Sequence, residues 1–166
     1  MAIFDLDEKI EGMSVKEVLN FLTDEQKKEL IELLKKKDKI FLLSAKEYEE
    51  HKSKIPCLHE WWLRSPGSGQ DYIAFVLGRD SVGYTNDIAS NNGCVRPAIR
   101  YNEFKHTKVN ETTVCALGVT WKILDDNIAI AEMPIFYSRF DARTNDYEQS
   151  EVRKKLLAWA EEREDW

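Results

Sequence analysis

Helical periodicity marks the first part of the chain, and short apolar runs separated by turn residues mark the rest. Ser14 and Glu17 have capping-box spacing and predict a short helix over residues 15–22. Thr23 and Gln26 repeat the pattern and predict a second helix over 24–37, with Leu30, Ile31, Leu33 and Leu34 on one stripe. Lys35, Lys36 and Lys37 close that helix and complement its carboxyl end, a reading we favour over a phosphate-binding patch. Ile40 to Leu43 is too short an apolar run for a helix and reads as a buried strand. Ser44 and Glu47 form a third capping box, for a helix to about Ser53 that Pro56 stops.

Strands are expected next over residues 61–64 and 72–77, with 81–85 pairing back as a hairpin partner across Gly78-Arg79-Asp80. Residues 86–93 are polar and close on the turn Asn91-Asn92-Gly93. Residues 94–101 read as one strand, in which Pro97 marks an edge or a bulge. Residues 102–113 are polar, charged and without periodicity, which makes them the best linker. Strands follow over 114–117 and 120–124, and Asp125-Asp126-Asn127 turns the chain into a strand over 128–135. Residues 140–149 are irregular. Ser150 then caps a last helix whose apolar side is Val152, Leu156, Leu157 and Trp159.

Composition narrows the classes. A chain of 166 residues is one domain, or one with a small appendage, here a helical segment 1–37 beside an α+β domain 38–166. The net charge of -6 argues against a generic nucleic-acid binder, and the 24 basic residues interleaved with 30 acidic ones argue against a DNA mimic. Cys57, Cys94 and Cys115 have no metal or disulfide spacing and read as small buried hydrophobes. No secretion leader and no bilayer-length apolar run are present, so a cytoplasmic protein is expected. The Asn110-Glu111-Thr112 triplet therefore carries no glycan meaning.

Two segments are more specific. Trp61-Trp62-Leu63-Arg64-Ser65-Pro66-Gly67 and Gly93-Cys94-Val95-Arg96-Pro97-Ala98 each place an arginine inside an apolar run. They resemble the WWLRSPG and GVRPA motifs of small bacterial and phage domains of unknown function. Those domains look related to the C-type-lectin-like fold, shared with the variable proteins of diversity-generating retroelements and with formylglycine-generating enzymes. The resemblance covers most of the chain from about Lys39, in an altered order. The family's first strands resemble Thr120 to Leu124, with Trp121 structural, and Ile128 to Ala131. A loop like Phe140-Asp141, a segment like Asn145-Asp146-Tyr147 and a helix like 150–159 follow in the family, and only then the two motifs. The resemblance implies a circular permutation with residues 102–113 joining the old ends, which requires those ends to lie close together. It implies that the strand over 95–101 pairs with, or lies beside, the strand over 119–124.

Arg64 and Arg96 are expected to pin loops through a carboxylate or carbonyl acceptors, the rival reading being a ligand anion. Trp61 and Trp62 are adjacent and point to opposite faces of a strand. We expect Trp61 in the core and Trp62 available to stack on a sugar or a protein. His51, His59 and His106 are scattered and read as surface residues. Asp141, Asn145, Asp146 and Glu148 lack regular calcium-loop spacing, and turns gather such residues anyway. No nucleophile elbow, P-loop or dinucleotide fingerprint occurs.

The expected architecture is a small, twisted, mostly antiparallel sheet with flanking helices, long loops and an N-terminal helical cap. The expected function is non-catalytic binding of a protein, or of a glycan, without cofactor, metal, nucleic acid or membrane. The loops over 65–71, 78–93 and 137–149 carry it, through Trp62, Tyr72, Arg79, Tyr84, Asn86, Asn91, Tyr137, Arg139 and Arg143. One alternative is a phage-encoded inhibitor of a host defence system, such as an anti-CRISPR protein. A weaker one is an oxidoreductase like the formylglycine-generating enzymes, which use paired cysteines.

Overall fold

The computed structural model describes residues 15–35, 38–56, 59–78 and 81–164, without the side chains of residues 15, 16, 18 and 31–35. The chain divides into two compact units, Met1–Asp38 and Lys39–Trp166. The first holds helices α1 (Val15–Phe21) and α2 (Asp24–Lys35). Thr23 Oγ1 accepts from Gln26 N at 3.2 Å and Gln26 Oε1 accepts from Thr23 N at 3.0 Å, so the reciprocal cap expected before α2 is formed. Leu30 is half-buried. Ser14, Lys36 and Lys37 lie outside the described residues, as do the side chains of the other three stripe residues, Ile31, Leu33 and Leu34.

The second unit is α+β with two sheets. The six-stranded sheet is antiparallel throughout, in the order β1 (Ile40–Phe41), β6 (Ala98–Arg100), β10 (Ile128–Ala131), β9 (Val119–Ile123), β8 (Thr113–Ala116), β7 (His106–Asn110). The five-stranded sheet runs β11 (Phe136–Ser138), β5 (Gly93–Val95), β2 (Trp61–Pro66), β3 (Ile73–Leu77), β4 (Ser81–Thr85). Only β2 and β5 pair in parallel there. Helices α3 (Ala45–His51) and α4 (Glu151–Glu161) complete the unit. Among the described residues no helix is long and apolar enough to cross a membrane.

The unbroken apolar runs have a physical reason: several strands bury both faces. Ile40, Leu42, Trp62, Ile73, Val95, Ile99 and Ala129 belong to one core, with Val152 and Leu156 of α4. Their chain neighbours Phe41, Leu43, Trp61, Ala74, Cys94, Ala98 and Ile130 belong to a second core, with Tyr48 of α3. Successive side chains on a strand alternate sides, so a wall between two cores has no polar positions.

Four expectations about the strands need correction. The single strand over 94–101 is two strands in two sheets, because the chain leaves β5 at Arg96-Pro97 and enters β6. The strand over 128–135 likewise breaks: β10 ends at Ala131, and β11 begins in the other sheet at Phe136. The two crossings run side by side, with Ala131 N donating to Pro97 O and Ile135 N to Val95 O, both at 2.9 Å. The third correction concerns 102–113. It contains β7, paired with β8 in a hairpin, and all five residues of β7 are exposed. A strand that buries neither face leaves no apolar signature. Finally, β6 and β9 share a sheet but are not neighbours, since β10 lies between them.

Candidate functional site

Half-buried Arg64 and buried Arg96 are both structural in their contacts. Arg64 Nη2 donates to Glu47 Oε1 at 2.9 Å and Nη1 to Leu42 O at 2.8 Å. Glu47 also completes the capping box of α3 by accepting from Ser44 N at 2.7 Å, while Ser44 Oγ accepts from Glu47 N. One carboxylate thus caps a helix and pairs the arginine. Burial works to raise the pKa of Glu47, but Arg64 and the Ser44 N–H outweigh it and hold the carboxyl below its ordinary value. Arg96 is 2% exposed and donates to three carbonyls: Ala131 O at 2.8 Å, Pro56 O at 2.8 Å and Glu132 O at 3.2 Å. Its guanidinium lies 4.8 Å from the centre of the Trp61 ring. Arg96 therefore clamps the place where both chain segments change sheets.

Trp62, expected at a binding surface, is 2% exposed, and this is a correction. Its ring meets Phe140 edge-on at 5.9 Å and its Nε1 donates to Ser138 O at 2.8 Å. A Cβ at Gly93 would come within 2.7 Å of that ring, so the glycine is what lets β5 lie against it. Trp61 is buried as expected, and so is Trp121, whose Nε1 donates to Ala116 O at 2.8 Å.

The remaining expected binding residues do not form one surface. Tyr137 on β11 is 66% exposed and Asn91 is exposed before β5. Tyr84 on β4 is 51% exposed, with Tyr72 and Asn86 also exposed near that strand. The strands β11 and β4 are the opposite edges of the five-stranded sheet, four spacings or about 19 Å apart. Arg139 is engaged by Glu151 at 2.8 Å. Arg143 is exposed in the loop after Phe140. Arg79 lies outside the described residues.

At the β11 edge the structure forms a cleft of about 300 Å³. Buried Trp61, Trp62 and Cys94 line it together with Phe75 and Gly93, and the exposed residues His59, Glu60, Asn91, Asn92 and Tyr137 surround them. The loop bearing Asn91 is held by Ile88, 4% exposed, whose carbonyl accepts from Phe140 N at 3.0 Å and Asp141 N at 3.3 Å. A lone large apolar side chain in a polar stretch is the signal that the sequence offered for this anchor. Cys94 and Tyr137 are cross-strand partners. Burial pushes the Cys94 thiol up, the Tyr137 hydroxyl opposes this, and the Glu60 carboxylate adds to the rise. Such a thiol is protonated at neutral pH and a poor nucleophile. Cys94 and Cys115 are free and stand in different sheets. Cys57 lies outside the described residues.

Two other depressions are less suited to a ligand. One, of about 960 Å³, lies between residues 52–56, the β7–β8 hairpin and residues 122–126, and mixes charges that are largely committed. Lys52 meets Glu49 at 2.7 Å, Lys108 meets Glu111 at 3.2 Å and Lys54 Nζ donates to Leu124 O at 2.6 Å. His51, which lies beside it and was expected at the surface, is half-buried and 3.6 Å from Asp125; His59 and His106 are exposed. The other, of about 530 Å³, runs past Cys115, Met133 and Trp159, with Arg163 stacked on Trp159 at 4.5 Å.

The acidic loop is knotted on backbone groups. Asp141 accepts from Arg143 N, Thr144 N and Glu151 N at 2.7, 3.0 and 2.9 Å. Burial raises its pKa, but those three donors prevail and hold the carboxyl below its ordinary value. Asn145 Nδ2 donates to Gly69 O and Tyr72 O, both at 2.9 Å, and Asp146 accepts from Glu148 N at 3.1 Å. Among the described residues no group of three or more His, Cys, Asp or Glu could hold a metal ion. No family model, no curated protein and no solved structure matches the chain.

Proposed function

We propose that this is a non-catalytic binding protein that recognises a protein partner through the cleft at the β11 edge, on a circularly permuted, C-type-lectin-like scaffold of bacterial or phage origin. The observation that carries the reading is the exposure of Tyr137 beside the Asn91 and Asn92 amides, over a cleft lined by buried tryptophans. A rigid ring brings a large contact area at small entropic cost, and neighbouring amides supply orientation. The loop carrying Asn91 is anchored through Ile88, so the surface is organised before a partner arrives. The permutation draws support from the exposed β7 strand at the proposed junction and from β10, which pairs with both β6 and β9 in one sheet.

The experiment is capture of partners from a bacterial lysate on the immobilised protein, with a glycan array in parallel. We expect a protein that the wild type retains and Tyr137→Ala loses. A nuclease or ribonucleoprotein as that protein makes the role inhibition of host defence inside the cell. Binding to glycans alone, with no Tyr137-dependent protein, overturns the reading.

A further inference from the structure

We propose that β4 is a self-pairing edge, on which a second copy of this chain adds its own β4 antiparallel, joining two five-stranded sheets into one of ten strands. The inference stands apart from the binding cleft, which lies at the opposite edge.

The two sheets have four edges, β1, β7, β11 and β4. An edge strand turns the N–H and C=O groups of every second residue outward, a template for another strand unless length, charge or a bulge blunts it. β1 has two residues and β11 has three, too short to template much. β7 has five, but it carries Lys108 and its register shifts between Lys108 and Asn110. β4 also has five residues, Ser81-Val82-Gly83-Tyr84-Thr85. None is charged and none is proline. Its register with β3 is unbroken from Ile73↔Thr85 to Leu77↔Ser81. It is thus the one long edge, among the described strands, without such a device.

The strand is also complementary to itself. Antiparallel pairing centred on Gly83 sets Val82 opposite the second copy's Tyr84, and Tyr84 opposite its Val82. Aromatic against β-branched is a favourable cross-strand pair. Ser81 then faces Thr85, and glycine meets glycine at the two-fold axis, so no like charges oppose. Tyr84 is 51% exposed and Val82 half-buried, which leaves surface for the second copy to cover. Such a contact is isologous and closes as a dimer. Two binding clefts would then sit at the far ends of the joined sheet.

Sedimentation equilibrium of the full chain across the micromolar to submillimolar range tests this, with hydrogen exchange at low and high concentration. We expect a monomer–dimer equilibrium and concentration-dependent protection of amides within residues 81–85. Tyr84→Lys combined with Ser81→Lys, both exposed positions, should weaken the dimer at least tenfold with an unchanged circular dichroism spectrum. Tyr137→Lys at the other edge should not. A monomer throughout the range overturns the proposal and leaves the edge to a strand of some other protein. A dimer that the paired lysines do not weaken overturns it too.

Discussion

At the scale of single residues, the arginines illustrate how a charge in an apolar run is accommodated. Arg64 has a carboxylate that also caps a helix, and Arg96 has three carbonyls and a tryptophan face. A carboxylate whose pKa folding depresses contributes stability above its unfolded value and loses it as pH falls through the folded one. Glu47 and Asp141 are both of this kind. Stability should therefore be flat near neutrality and fall as pH drops below Glu47's ordinary value of 4.5. Glu47→Gln should cost about 1 kcal/mol at neutral pH, since a charge-assisted bond to a half-buried arginine becomes a neutral one. Its denaturation curves should converge on the wild type's in acid, and a constant difference at every pH would contradict the pairing. The Asp141 loop leads to a second expectation. Its carboxylate oxygens face backbone N–H groups, which are donors where a cation would need acceptors. Chelator treatment should leave the melting temperature unchanged, and a chelator-dependent drop would reopen a calcium role for residues 141–148. The tryptophan pair shows where residue-level reading stops. Adjacency in a strand places Trp61 and Trp62 on opposite faces, but it does not say whether the second face is covered, and here both are.

At the scale of elements, the capped helices were the most legible. The Thr23/Gln26 and Ser44/Glu47 boxes are formed, and Ser150 accepts from Arg153 N to cap α4. Hairpins with strong turn residues were equally legible, as for β3–β4 and for β9–β10 across residues 125–127. The sheet crossings were not. A strand that continues in its sheet and one that passes to another have the same local composition, and only the Arg96 contacts and the paired crossings distinguish them. The exposed β7 was hidden for the opposite reason, because it has no apolar face to announce it. The close approach of β5 to Trp62 can be tested directly. Gly93→Ala would place a methyl group 2.7 Å from a fully packed indole whose Nε1 is held by Ser138 O. We expect a loss of about 1–3 kcal/mol, the usual cost of overpacking, in chemical denaturation. A neutral effect would mean that β5 does not lie against Trp62.

At the scale of the molecule, the α+β class was legible from the alternation of strands, helices and turns, whereas the division into two sheets with two cores was not. The candidate site was legible in part. Tyr137 and Asn91 were named from loop composition, yet the same reasoning added Tyr72, Tyr84 and Asn86, which the sheet order carries to the far edge. Composition finds residues suited to binding; topology decides which of them can touch one partner. The account's central claim is that the β11 edge, not the β4 edge, holds the partner. The most direct test is the affinity for the captured protein of Tyr137→Ala and of Tyr84→Ala, titrated side by side with the wild type under conditions where each is folded. An exposed tyrosine at the centre of an interface costs about 2 kcal/mol or more on truncation, roughly a thirtyfold loss. The account predicts that loss for Tyr137→Ala and less than a threefold change for Tyr84→Ala. The reverse pattern, or equal small effects from both, would contradict it.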